Sequence, residues 1–119
     1  MMGKHYKWHK IASSENEINW PSNGIAVVEV QEKKICIARW NNSWFGFAYK
    51  CPHAGGPLAH GFIDKAGHVV CPLHAYKFSL QTGRSRSEEG YQLKHWPIEQ
   101  RQDGIYIGLD EKGFFNWFG

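Results

Sequence analysis

Two thiols and two imidazoles form two short clusters in the middle of this chain. One residue separates Cys51 from His53, in C-P-H, and two residues separate Cys71 from His74, in C-P-L-H. Thiolate and imidazole side chains bind zinc, copper and iron. Paired ligands at such short spacing therefore predict a metal site, and residues 54–70 must bring the two pairs together.

This ligand set is compatible with two kinds of metal centre, a zinc ion and an iron–sulfur cluster. Structural zinc takes four ligands in a tetrahedron, and its motifs usually space both pairs by two or more residues. A 2Fe-2S cluster needs two ligands on each iron, and two loops that each supply one Cys and one His provide them. The C-x-H pair favours the cluster. A structural zinc module that binds another protein is the distant alternative.

The residues around the two pairs resemble a known family. The stretches C-P-H-A-G-G-P-L and C-P-L-H-A-Y-K-F are similar to the ligand loops of Rieske iron–sulfur proteins. The resemblance is strongest over residues 50–83. The stretch after the second pair, residues 76–83, is similar both to soluble bacterial Rieske ferredoxins and to the small subunit of NADH-dependent nitrite reductase. It implies a Rieske-type 2Fe-2S cluster. Cys51 and Cys71 would bind its buried iron, and His53 and His74 would bind its outer iron through Nδ1.

The resemblance also has consequences for the redox potential. The formal charges of two ferric ions, two sulfides and two thiolates cancel, so the cluster accepts an electron more easily than one held by four thiolates. Tyr76 and Phe78 stand where the respiratory branch of the family has hydroxyl donors near the cluster. Fewer donors stabilise the reduced cluster less, and we expect a potential nearer about −150 mV than about +300 mV.

Short strands separated by turn residues must position the ligand loops, because helical patterns are nearly absent. The predicted strands cover residues 8–12, 25–30, 34–40, 44–50, 62–63, 68–70 and 76–80, with a closing hairpin of 91–100, interrupted by Pro97, and 105–109. Each ligand pair then lies in a loop at a strand end. This pattern predicts an all-β fold. The resemblance specifies a Rieske-type antiparallel β-sandwich with a small cluster-binding subdomain of two ligand loops.

Other residues of reactive types have structural interpretations. Cys36 alternates with its neighbours along a predicted strand, which indicates a packing role. Residues 55–57, Gly-Gly-Pro, would let the backbone approach the cluster, with an ordinary loop as the alternative. His60 and His68 lack the paired spacing and are predicted at the surface or in loops. The aromatic tail, residues 113–119, is predicted to pack on the domain, with a partner surface as the alternative.

Length and composition limit what else the chain can contain. Its 119 residues, 42% of them hydrophobic, suit one domain over residues 1–119, with the cluster-binding part at about 50–83. The formal charge of +3 without long Lys/Arg runs predicts no binding of nucleic acid or membranes. An odd number of cysteines, no apolar signal segment and no bilayer-length stretch predict a soluble, cytoplasmic protein.

The sequence contains no P-loop, no nucleophile elbow and no dinucleotide glycine fingerprint. Electrons must therefore come from another protein. We predict a one-electron carrier between a flavin reductase and a terminal oxygenase or similar enzyme, an electron-transfer component rather than a stand-alone enzyme. The alternative is a small subunit held permanently by a nitrite reductase catalytic subunit.

Overall fold

Three antiparallel sheets make up the fold. The computed structural model describes residues 6–86 and 90–110. The strands are β1 Tyr6–Ala12, β2 Ile25–Val30, β3 Lys33–Trp40, β4 Ser43–Ala48, β5 Phe62–Ile63, β6 His68–Val70, β7 Lys77–Ser79, β8 His95–Trp96, β9 Ile98–Arg101 and β10 Gly104–Asp110, with 3-10 turns at Glu15–Glu17 and Leu58–His60. The first sheet has the order β1-β10-β9, the second β2-β3-β4-β8 and the third β5-β6-β7. The predicted all-β architecture is confirmed.

Strand β3 is the centre of the fold because both of its faces are buried. Ile35 and Ile37 pack with the buried side chains of β10, so the first and second sheets form a sandwich. Cys36 and Ala38 face the other way and pack with the third sheet and the ligand loops. The alternation predicted for this strand is confirmed, and so is the packing role of Cys36.

Tight turns join the central strands. Gln31 and Glu32 have φ values of 51° and 68°, and Asn41 and Asn42 have 55° and 63°. Two consecutive left-handed residues form the two-residue turn whose twist matches that of a hairpin. The strands therefore begin one residue earlier than predicted, at Lys33 and Ser43.

The strand that leads into the first ligand pair ends at Ala48, two residues earlier than predicted. Beyond this point the backbone pairs with the ligand loop instead of with β3. The carbonyl of Tyr49 accepts a hydrogen bond from the Leu58 N–H at 2.8 Å, and Lys50 forms a bridge with Pro57. The end of the strand thus becomes part of the site.

The predicted interruption at Pro97 is confirmed, and it marks a change of sheet. Strand β8 pairs with β4 in the second sheet, whereas β9 pairs with β10 in the first. Proline has no N–H to continue a ladder, and its carbonyl accepts a hydrogen bond from Gly108 at 3.0 Å. A pattern of two adjoining strands is therefore divided between the two halves of the sandwich.

No helix of residues 6–86 and 90–110 is long and apolar enough to cross a lipid bilayer. The aromatic tail, residues 113–119, lies outside the described residues. Its packing stays a prediction.

Asp64 organises the turn between β5 and β6. Its Oδ1 accepts hydrogen bonds from the N–H groups of Ala66 at 3.0 Å and His68 at 2.9 Å, and lies 3.2 Å from His68 Nδ1. Its Oδ2 lies 3.6 Å from Lys77 Nζ on β7. Burial alone would raise the pKa of Asp64, but the hydrogen bonds from His68 outweigh it and lower that pKa. His68 is half-buried against this carboxylate, so the prediction of a surface or loop histidine is wrong.

We expect Asp64→Ala to lower the free energy of unfolding by about 1 to 3 kcal/mol, since the half-buried backbone N–H and ring nitrogen of His68 lose their acceptor. Asp64→Asn keeps an acceptor oxygen but removes the negative charge, so this variant isolates the contribution of the charge to stability. Because the folded pKa lies below the ordinary value of about 3.9, the charge contributes stability above that value and loses it as the pH falls through the folded pKa. Urea unfolding at several pH values measures this. A gap between wild type and Asp64→Asn that stays constant down to strong acid would contradict it.

Candidate metal centre

The first ligand loop is closed by its own backbone. The Cys51 N–H donates to the carbonyl of Gly56 at 2.8 Å, and the Gly55 N–H donates to the carbonyl of Cys51 at 2.7 Å. Gly55 has a φ of +75°, a conformation that favours glycine. These bonds turn the Cys51 thiol inward, where the residue is 2% exposed, and leave His53 half-buried at the rim.

The second ligand loop is a tight turn between β6 and β7. The Cys71 N–H donates to the carbonyl of Tyr76 at 2.8 Å, and the Leu73 N–H donates to Cys71 Sγ at 3.4 Å. His74 and Ala75 both adopt left-handed φ values, 65° and 57°, which cost about 1 to 2 kcal/mol each in residues with a Cβ. This turn buries the Cys71 thiol and exposes His74.

The two loops bring like ligands together. The side chains of Cys51 and Cys71 are in contact, and the rings of His53 and His74 meet edge to face with centroids 5.6 Å apart. Burial raises the pKa of Cys71 and the neighbouring Cys51 raises it further, against the lowering effect of the Leu73 N–H. A metal cation would convert such thiols to thiolates. The arrangement is a buried pair of thiols beside an outer pair of imidazoles.

The environment of one histidine nitrogen indicates whether this arrangement fits a metal. His53 Nδ1 is buried and makes no hydrogen bond among the described residues. Burying a polar atom without a partner costs about 1 to 3 kcal/mol, and a metal ligand bond would remove that cost. This is also the atom through which the family resemblance expects His53 to bind iron. The donor set therefore fits a cluster held by two Cys and two His.

The ligand set is divided into two pairs, the thiols of Cys51 and Cys71 and the imidazoles of His53 and His74. A binuclear cluster uses such pairs, with two ligands on each iron.

Gly56 lies beside the side chain of Leu73 from the second ligand loop. A Cβ on this residue would lie 2.7 Å from Leu73 Cδ1 and 3.8 Å from Cys71 Sγ. The first distance is shorter than any ordinary contact between carbon atoms. The nearest atom belongs to the flexible side chain of Leu73, so the approach of this glycine to the cluster stays a prediction.

Asn23 was not singled out from the sequence, yet it holds the segment between the ligand pairs. Its Nδ2 donates to the carbonyls of Ala59 at 2.7 Å and Gly61 at 2.9 Å, while its Oδ1 accepts from the Ile25 N–H at 3.3 Å. The only sequence signal is a turn-forming Asn before a strand. The two carbonyl groups that it holds lie 36 and 38 residues away, beyond the reach of a local pattern.

Three other residues near the ligand loops have different environments. Cys36 is buried in the core, where burial raises its pKa to about 12 and keeps the thiol protonated. His60 is exposed on the 3-10 turn, as predicted. Next to the ligands, Leu73 is a large apolar residue that is 43% exposed.

Comparison with known proteins identifies the family. The family model of the Rieske 2Fe-2S domain matches residues 7–97. The ferredoxin subunit of 3-phenylpropionate/cinnamic acid dioxygenase from Photorhabdus laumondii is 27% identical over 93 residues, which cover 77% of this chain and 88% of that protein.

Two solved structures share the fold. A ferredoxin–oxygenase complex of carbazole 1,9a-dioxygenase contains a chain with a TM-score of 0.69 and 20% identity, covering 85% of this chain and 92% of that one. An oxidoreductase assigned as a nitrite reductase NADPH small subunit has a TM-score of 0.71 and 16% identity, covering 85% of this chain and 97% of that one. With the paired ligand loops and the sandwich that carries them, these matches show that the chain belongs to the Rieske 2Fe-2S domain family and that its cofactor is a Rieske-type 2Fe-2S cluster.

Proposed function

We propose that this chain is a one-electron carrier that accepts an electron from a reductase and delivers it to a terminal oxygenase or similar enzyme. The buried thiols of Cys51 and Cys71 hold one iron of the cluster, and the imidazoles of His53 and His74 hold the other. When bound, the cluster supplies one reversible electron. The observation that carries this proposal is the outer pair of imidazoles above a buried pair of thiols.

The chain itself shields one side of the cluster and opens the other. Cys71 is 1% exposed and packs with buried apolar side chains such as Phe78, which exclude water from the sulfur ligands. The Leu73 N–H donates to Cys71 Sγ and favours the more negative, reduced state. His74 lies at the surface, which shortens the path to a docked protein.

The similar proteins support a role with a separate redox partner. One is a ferredoxin subunit of a dioxygenase, and another is a ferredoxin in a complex with an oxygenase. A flavin reductase as donor and a cytoplasmic location are part of the proposal. The similarity to a nitrite reductase small-subunit protein keeps a second candidate, a chain held permanently by a catalytic subunit. Purification from the native cell separates them, because only the second copurifies with its partner in fixed ratio.

The first experiment is anaerobic purification followed by iron and sulfide analysis and EPR of the dithionite-reduced protein. We expect two irons and two acid-labile sulfides per chain, with the low average g value of mixed Cys and His ligation. Stopped-flow mixing with a Rieske-type oxygenase then tests delivery of the electron. A colourless protein with one zinc ion would contradict the proposed function.

A substitution of Leu73 tests where the redox partner docks. A large exposed apolar residue between two ligands suits the centre of an interface, where a buried charge would be costly. We expect Leu73→Glu to slow electron transfer to the partner about tenfold, equivalent to about 1.4 kcal/mol, with the EPR signal retained. Val27→Glu is the matched control, because Val27 is 42% exposed but lies on β2. Equal rates for the two variants would place the docking surface elsewhere.

A further inference from the structure

Two tyrosines cover one of the two imidazoles. The ring of Tyr76 lies against that of His53, with centroids 3.8 Å apart and planes inclined by 35°. Tyr91 meets His53 edge to face at 5.3 Å and 73°, and meets Tyr76 at 5.9 Å and 87°. His53 is half-buried as a result, whereas His74 is exposed.

A histidine ligand needs something to fix the plane of its ring. The terminal torsion of histidine is broad, so the ring turns easily when nothing holds it. Metal-binding histidines are commonly oriented by a hydrogen bond to the second ring nitrogen. Packing against neighbouring rings restricts the same torsion, and the His53 ring is bounded by the face of one tyrosine and the edge of another.

Tyr76 is well placed for this role because its own backbone is fixed. Its carbonyl accepts the hydrogen bond from the Cys71 N–H at 2.8 Å, and strand β7 begins at the next residue. The ring that contacts the histidine of the first loop is therefore carried by the second loop. Tyr91 comes from a third segment of the chain and meets the His53 ring edge to face.

We propose that Tyr76, supported by Tyr91, is a positioning residue that sets the orientation of the His53 imidazole and makes the two histidine ligands inequivalent. The His53 ring is held against two tyrosine rings, whereas His74 is exposed to solvent. A clamped ring keeps one orientation when the electron arrives, so less of the site has to rearrange. This inference rests on the proposed role of His53 as a ligand.

The test compares wild type with Tyr76→Phe, which keeps the ring, and Tyr76→Leu, which removes it. Tyr106→Leu, a change in strand β10, is the matched control. Pulsed EPR of the reduced protein resolves the coupling of each histidine nitrogen to the cluster. We expect Tyr76→Leu to alter one of the two couplings, broaden the g values and release iron to a chelator several-fold faster. Tyr76→Phe and Tyr106→Leu should match wild type.

Two outcomes would overturn the inference alone while the wild type carries its cluster. One is a Tyr76→Leu protein with unchanged couplings and iron release. The other is a Tyr76→Phe protein that behaves like Tyr76→Leu, because the hydroxyl would then be the active group. If Tyr76→Leu does not fold, Tyr91→Leu replaces it: a change confined to the same coupling supports the clamp, and no change overturns it. A wild type without a cluster would instead overturn the proposed function, and this inference with it.

Discussion

Replacing Cys71 with alanine is expected to reduce bound iron from about two atoms per chain to nearly none, because one iron loses one of its two thiolate ligands. Cys51→Ala, His53→Ala and His74→Ala should have the same result, since each iron takes two protein ligands. Iron and sulfide analysis and visible absorption of the anaerobically purified variants measure the loss. Circular dichroism of the same samples reports whether the sheets persist.

The chain offers matched controls for both ligand types. Cys36→Ala removes a buried cysteine of the same core, and His60→Ala removes a histidine from the segment between the ligand pairs. Both variants should keep their full iron content, although the first loses some stability from the smaller buried side chain. A cluster that survives any of the four ligand changes, or disappears in either control, would refute the ligand assignment.

The second large effect is expected at Gly61. A Cβ on this residue would lie 1.9 Å from the carbonyl oxygen of Val70, the residue that precedes Cys71. Backbone cannot yield as a flexible side chain can, so Gly61→Ala must push the 3-10 turn away from β6. We expect a loss of about 3 kcal/mol in the free energy of unfolding together with a lower iron content, measured by urea unfolding and iron analysis.

Gly24→Ala separates this clash from the conformational preference of glycine. Gly24 has a φ of +80° and no heavy atom within 4 Å of the position of a Cβ. Alanine there costs only the left-handed conformation, about 1 to 2 kcal/mol, and the cluster should be retained. If Gly61→Ala proves no more damaging than Gly24→Ala, the close approach to Val70 is not a constraint on the fold.

Much of the site could be predicted because its determinants are local. The choice of iron–sulfur chemistry depends on which side chains are present and how they are spaced over a few residues, and both are visible in C-P-H and C-P-L-H. The strands were recognisable for the same reason, since side chains alternate with a period of two. Boundaries were less accurate, as at Tyr49, where pairing with the ligand loop ends the strand.

The tertiary structure decided what depends on contacts between distant parts of the chain. It buried both faces of β3, divided the residues around Pro97 between two sheets, and joined β1 to β10. It also set Asn23 against Ala59, at a separation of 36 residues.

By itself, the sequence determined the ligand types and the alternation of the strands, because these follow from the identity and local spacing of residues, and its resemblance to the Rieske family indicated the cofactor class. Only the tertiary structure decided that Tyr76 lies on His53 and that His74 is left open. Such packing is set by the meeting of separate loops, and no local pattern records which side chains will face each other there.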